Sequence, residues 1–361
     1  MTANAALVAR SVGDYEGLAR ERLDPDRWAW LSGGAGDEVT LRANIDDWAA
    51  LRLLPRMLRK LTDGHTRIDL LGRSCPHPIL LAPLAFQRLL DPLGECASAA
   101  AAAAQGAGMV LSGQSSMPLE EVARVLLPEK TRGPLWFQLY LNGDRGYDQT
   151  LIERIQHAGY EGLVLTIDAP VQGPRDREKR AEFRLPPDIA AVNLVGAPKP
   201  AATSTGAWCG GLLQSAADWD DVEWLRSRSR LPLLLKGVLH KDDARQAKEL
   251  GADALIVSNH GGRVLDGAVS TAWALPRIAD ALHGSLPLLV DGGIRRGTDI
   301  VKALALGASA VLIGRPYATA LAAAGPQGVA HMIRLLRDEF EIALALCGCS
   351  SPADVTRVVL R

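Results

Sequence analysis

Residues 258–266 hold the densest chemistry in the chain: Ser258, Asn259, His260, Gly261, Gly262, Arg263, Val264, Leu265 and Asp266. An imidazole moves a proton near neutral pH, and a guanidinium holds a carboxylate through two parallel hydrogen bonds. The two glycines let backbone approach a ligand. Taken alone, the run also fits a polar turn behind a core strand. What precedes it is apolar, Ala254, Leu255, Ile256 and Val257, the pattern of a short buried strand. A strand end of this kind delivers side chains into a cleft, so its meaning depends on the other strand ends.

Short apolar runs recur eight times: 79–82, 109–111, 135–139, 163–167, 233–235, 255–257, 288–290 and 310–313. Most are continuous rather than alternating, as parallel strands buried on both faces are. Helical patterns separate them at 119–125, 151–158, 242–250, 272–282 and 299–306, and Gly251 and Gly307 stand as stops. The alanine-rich tract 96–108, opened by Gly94 and Glu95 and stopped by Gly106, reads as one more buried helix and is too short to span a bilayer. Eight strands alternating with helices predict an α/β fold, a (β/α)8 TIM barrel making one domain over residues 1–361. An open doubly wound sheet would show a glycine fingerprint behind its first strand, and none is present. Residues 1–75 read as an N-terminal helical extension, with patterns around Leu18 and Trp28 and a linker-like stretch to Pro78. Residues 169–218 read as a long lid-like insert after the fourth strand, densely charged from Arg175 to Arg180 and small and polar over 197–211.

Behind the strands come, in order, Pro83, Leu84 and Ala85; Ser112; Gln138 and Tyr140; Thr166 and Asp168; Lys236; Ser258 and His260; Asp291, Gly292 and Gly293; and Gly314 with Arg315. Polar and small residues at the carboxyl ends of many strands are how this barrel builds an active site. Loops after its last two strands commonly cradle a phosphate on backbone N–H groups, and Arg295 and Arg315 add charge there, while Asp291 suits a sugar-like hydroxyl. A phosphate-bearing cofactor follows. Lys236 is the only charge in its apolar strand and needs a partner. It fits a Schiff-base nucleophile with a depressed pKa, or a positive charge facing an electron-rich cofactor. Asp168 beside His260 would stabilise an imidazolium, or form a structural ion pair.

Composition excludes more than it assigns. A net charge of -1 lacks the basic stripe of a nucleic-acid binder. Five cysteines, at 75, 96, 209, 347 and 349, make no CxxC pair, so reduced thiols and no metal are expected. The first twenty residues lack a secretory signal pattern, and a cytoplasmic protein without a membrane partner is expected.

The combination of motifs resembles the FMN-dependent L-2-hydroxy-acid oxidases and dehydrogenases, the group of glycolate, lactate and mandelate or hydroxymandelate oxidases. It is carried by Phe137 to Tyr140, Leu165 to Pro170, Leu235 to Gly237, Ser258 to Asp266, Asp291 to Gly297 and Ile313 to Pro316, and spans about residues 15–349. The resemblance implies FMN as cofactor and oxidation of a 2-hydroxy acid to the 2-keto acid. It makes His260 the base, Asp168 its electrostatic partner, Arg175 and Arg263 the carboxylate clamp, and Tyr140 a substrate hydrogen-bond donor. Lys236 would face the flavin's pyrimidine end. Pro83, Leu84, Ala85, Ser112, Gln138, Thr166 and Ser258 would contact the ring and ribityl parts. The loops with Asp291, Gly292, Gly293 and Arg295, and with Gly314 and Arg315, would hold ribityl hydroxyls and phosphate. Trp30 and Gln114 depart from the family pattern, which has Tyr and often Trp there; this fits neutral drift in a tolerant pocket or a pocket retuned toward a bulkier, mandelate-type side chain. Oxygen is the expected acceptor and a homotetramer the expected assembly. A dehydrogenase using a quinone, an FMN-binding barrel isomerase and a silent flavin-binding protein are the competing readings.

Overall fold

The computed structural model describes residues 8–198, 209, 213 and 216–361. Continuous apolar runs have only one way to bury both faces, between a packed interior and a shell of helices. Eight such runs do so here: β3 (Ile79–Leu81), β4 (Gly108–Ser112), β5 (Leu135–Leu139), β6 (Leu163–Thr166), β7 (Leu233–Val238), β8 (Ala254–Val257), β9 (Leu288–Val290) and β10 (Ala310–Ile313). They pair in parallel in chain order, and β10 closes on β3 as a barrel. The expected (β/α)8 barrel is the fold.

The period of two sorts each strand. Leu80, Val110, Trp136, Val164, Leu234, Ile256, Leu289 and Leu312 form one buried cluster, the barrel interior. Their neighbours, such as Leu81, Leu111, Phe137, Leu165 and Val257, pack outward with the helices. Two residues further along the same inward face stand Ala82, Ser112, Gln138, Thr166, Lys236, Ser258, Asp291 and Gly314.

Three elements differ from expectation. The linker-like stretch before Pro78 contains an antiparallel hairpin, β1 (Ile68–Leu70) with β2 (Arg73–Cys75). Leu70 and Cys75 join the interior cluster and plug the barrel's amino end. Its two strands, broken by Asp69, Arg73 and Ser74, are neither a continuous apolar run nor long enough to show alternation. The helix expected at 151–158 begins earlier, as Arg145–His157, because Asp144 caps it by accepting from Gly146 N at 2.9 Å and Tyr147 N at 3.1 Å. A long helix, Arg315–Leu346, kinked at Ala324 and Gly325, follows the last strand.

In the extension, helices Asp14–Arg22 and Pro25–Ser32 carry Leu18 and Trp28, and a third, Val39–Ala50, follows. The insert's charged run forms a short helix, Asp176–Arg180, and Asn193 ties the insert down by donating from Nδ2 to Ser115 Oγ at 2.7 Å. The small, polar stretch 197–211 lies largely outside the described residues. No helix among the described residues is long and apolar enough to cross a membrane.

Candidate active site

The inward face of β7 places Lys236 at the carboxyl end of the barrel, 3% exposed. A buried ammonium needs compensation, and it has it: Nζ donates to Ser258 Oγ at 2.8 Å and lies 3.2 Å from Asp291 Oδ2. Burial pulls the Lys236 pKa down, but Asp291 and Asp168 outweigh it, and the pKa lies above its ordinary value. The lysine is therefore held as an ion-paired charge, not as the depressed amine that a Schiff-base nucleophile requires. A register shift between Lys236 and Val238 bulges the strand at Gly237. Gly237 has φ 111°, and a Cβ there would sit 2.5 Å from that of Asp168. Glycine is what lets the carboxylate close over the strand.

Asp168 Oδ1 lies 2.9 Å from His260 Nδ1. Burial would raise the Asp168 pKa, yet Lys236 and the hydrogen bond from His260 hold it below the usual carboxylate range. An ionised carboxylate only accepts, so Nδ1 carries the hydrogen and Nε2 keeps a lone pair for an incoming proton. His260 itself sits at φ 56°, a left-handed conformation uncommon for non-glycine residues, followed by Gly261 and Gly262 at 62° and 72°. Both glycines pack closely on protein: a Cβ would meet Arg315 Nη1 at 2.9 Å or Leu41 N at 2.7 Å. Tyr140 is pushed up to about 12, by burial above all, and stays a hydroxyl donor.

Arg263 is fixed from below. Nη1 donates to the carbonyls of Trp30 at 2.8 Å and Gly33 at 3.0 Å, and Nη2 to Glu178 Oε1 at 2.9 Å. Nε and the second Nη2 hydrogen remain for a ligand, since guanidinium has five donors. Arg175 reaches the same Glu178 oxygen at 3.3 Å. The Trp30 indole lies 5.9 Å from the Arg263 guanidinium carbon and stacks on Phe183 of the insert at 5.9 Å and 24°. Half-buried Gln114 is held through its backbone, its carbonyl accepting from Phe86 N at 3.1 Å.

Arg315 has a second task besides the one expected of it. Its guanidinium donates to the carbonyls of Leu31, Gly33 and Gly261 at 3.2, 2.7 and 2.8 Å. Together with Arg263 it satisfies the last carbonyls of the helix Pro25–Ser32, where a cation also suits the helix dipole. Two of its five N–H donors, one on each Nη, are left for a phosphate, beside the backbone N–H of residue 315 at the start of the helix Arg315–Leu346. Arg295 is half-buried beside that loop, with Nη1 on Ile294 O at 3.1 Å.

Sequence reasoning missed several residues. Glu178 and Phe183 were hidden in a charged, irregular segment. Asn44 and Asn259 exchange amide hydrogen bonds of 2.8 Å in both directions, and Trp48 Nε1 donates to Gly292 O at 2.9 Å. No local signal marks these, because each partner lies hundreds of positions away.

Among the described residues, five buried polar atoms without a protein partner gather here: Gln138 Nε2, Thr166 Oγ1, Asp168 Oδ2, Arg175 Nε and Asp291 Oδ1. An unpaired buried polar group is costly, so such a cluster marks where a polar ligand belongs. With Lys236, it offers the mixed donors, acceptors and cation that a flavin ring edge and ribityl chain require, and the residues fit FMN. No group of His, Cys, Asp and Glu among the described residues has the makeup of a metal site.

The comparisons agree with the geometry. The family model for FMN-dependent dehydrogenase matches residues 19–361. An L-lactate oxidase of Nostoc sp. is 48% identical over 351 residues, 95% of each chain. Glycolate oxidase 1 of Zea mays is 40% identical over 354 residues, 96% of this chain and 94% of its own. A crystal structure of mandelate oxidase with (S)-2-phenylpropionate superposes with a TM-score of 0.88 at 42% identity, covering 98% of both chains. The matched span takes in every strand of the barrel and every residue of the site, and the chain belongs to the FMN-dependent dehydrogenase family.

Proposed function

We propose that this chain oxidises an L-2-hydroxy acid to the 2-keto acid with His260 as the base and oxygen as the acceptor. The reaction class and FMN come with the family; the roles of the residues are our reading of the geometry. The observation that carries it is the His260–Asp168 pair beside Arg175 and Arg263, a base and a carboxylate clamp on adjoining loops.

Bound FMN supplies the two-electron acceptor. The chain's own groups do the rest. Arg175 and Arg263 receive the substrate carboxylate and orient the carbon bearing the hydroxyl toward His260. Nε2 of His260 takes the first proton, and Asp168 stabilises the imidazolium that results. Tyr140 remains protonated and donates to the substrate. Lys236, held protonated by Asp291 and Asp168, opposes the negative charge that accumulates near it. Gln138, Thr166 and Ser258 line the ring and ribityl region, Ser112 steadies Gln138 by donating to its Oε1 at 3.2 Å, and the glycine loops with Arg295 take the phosphate.

The Trp30–Phe183 stack and half-buried Gln114 support a pocket for apolar side chains, aryl groups included. Oxidases among the relatives support oxygen as acceptor. A cytoplasmic homotetramer remains part of the same reading and is tested by light scattering of the holoenzyme. The central experiment is anaerobic bleaching of the purified yellow protein by L-lactate, glycolate and (S)-mandelate. Reduction by one of them, with 2-keto acid formed, is expected; a flavin that none bleaches sinks the proposal.

A further inference from the structure

Glu178 has no role in the chemistry above, yet its carboxylate stands inside the clamp. Its Oε1 accepts from Arg263 Nη2 at 2.9 Å and from Arg175 Nη1 at 3.3 Å, with the side chain only 13% exposed. Arg175 caps the short helix Asp176–Arg180 that carries Glu178, whereas Arg263 belongs to the loop behind β8. One oxygen thus sets the spacing of two guanidiniums from distant parts of the chain.

Charge matters here as much as spacing. Burial, then the neighbouring Arg175, pulls Arg263 down to about 10, and Glu178 is the anion that opposes them. With the Glu178 carboxylate between them, the three side chains carry one net positive charge, which a monocarboxylate neutralises. Without it they would carry two. Substrate and product present the same carboxylate, so any excess attraction is felt equally by the 2-keto acid that must leave.

We propose that Glu178 is a positioning residue that trims the charge of the carboxylate clamp, holding Arg175 and Arg263 in register while keeping product release fast. The inference rests on Arg175 and Arg263 being the clamp. Substitution E178Q keeps a bridging amide oxygen and removes the charge. In the E178Q holoenzyme, the dissociation constant for pyruvate, read from its perturbation of the flavin spectrum, should fall by about 3–10-fold. KM for L-lactate should fall with it and kcat should fall in parallel, leaving kcat/KM within about twofold. Substitution E178A removes bridge and charge together and should raise KM by about tenfold or more. Pyruvate binding that is unchanged or weaker in E178Q overturns the charge-trimming role, as does an unchanged KM in E178A. If E178Q does not accumulate as holoenzyme, E178A alone decides. The clamp reading fails separately: an R175L holoenzyme that binds pyruvate like the wild type removes the clamp itself, whatever Glu178 does.

Discussion

The two ends of the barrel are built on the same strands and the same inward face, and they do opposite things. At the amino end, Trp136, Val164, Leu234 and Leu289 pack against Leu70 and Cys75 of the hairpin, with no polar atom among the side chains apart from the indole and the thiol. Two residues along, Gln138, Thr166, Lys236 and Asp291 replace them, and unpartnered buried atoms appear. One pleat repeat, about 7 Å of strand, separates a packed plug from a reactive surface. The lesson is a division of labour: the plug pays in apolar contacts for the unsatisfied groups that make the other end bind and react.

Substitutions can break this contrast, and the largest effect belongs to the reactive end. H260Q should lower the anaerobic rate of flavin reduction by about 10²–10⁴-fold while the protein stays yellow; a rate within tenfold of wild type would show that the base lies elsewhere. Next, K236M leaves Asp291 buried beside no cation and should cost about 3–5 kcal/mol in urea unfolding, with loss of bound FMN. At the plug, W136A should cost about 3–5 kcal/mol without changing KM in holoenzyme that survives; an altered KM would show that the two ends are mechanically coupled.

Acid provides a finer test. Asp168 titrates lower in the fold than in the unfolded chain, so its stabilising contribution is complete above the ordinary carboxylate pKa, about 3.9. It is lost only as pH falls through the still lower folded value. On an H260Q background, where no imidazole titrates beside it, the stability gap between Asp168 and D168N should therefore hold constant from about pH 7 to pH 5, and a gap already closing at pH 6 breaks the assignment. The smallest effect is expected from T166V. Removing a buried hydroxyl with no protein partner should leave the apoprotein as stable or slightly more so, while FMN affinity falls about tenfold or less. Equal losses in both would place Thr166 with the plug instead.

Much of this was legible because the strands are short, wholly apolar and followed at once by polar residues. The runs 135–139, 288–290 and 310–313 coincide with β5, β9 and β10, and the chemistry begins at or just past each strand end. Local patterning reaches no further than a strand and its turn. The hairpin was lost because Asp69, Arg73 and Ser74 interrupt its strands, which form neither a continuous apolar run nor an alternation long enough to read. Arg315 was read for a phosphate from its place behind the eighth strand, and no local pattern shows that its guanidinium also answers carbonyls 282 and 284 positions earlier. Glu178 looked like one charge in a solvated run, and only the folded chain shows that Arg263 comes to meet it.

Those long-range bonds have a consequence for how the protein is made. Tyr15 hydrogen-bonds His331 at 2.8 Å, and the carbonyls of Leu31 and Gly33 await Arg315. During synthesis at about 5–20 residues per second, the first helices therefore wait on the order of 15–60 s for their partners to leave the ribosome. A nascent chain lacking its last sixth has neither the strand that closes the barrel nor the phosphate loop's helix, so flavin capture is a late event. Translation stopped early should yield colourless fragments, incapable of stray redox chemistry before the enzyme is whole.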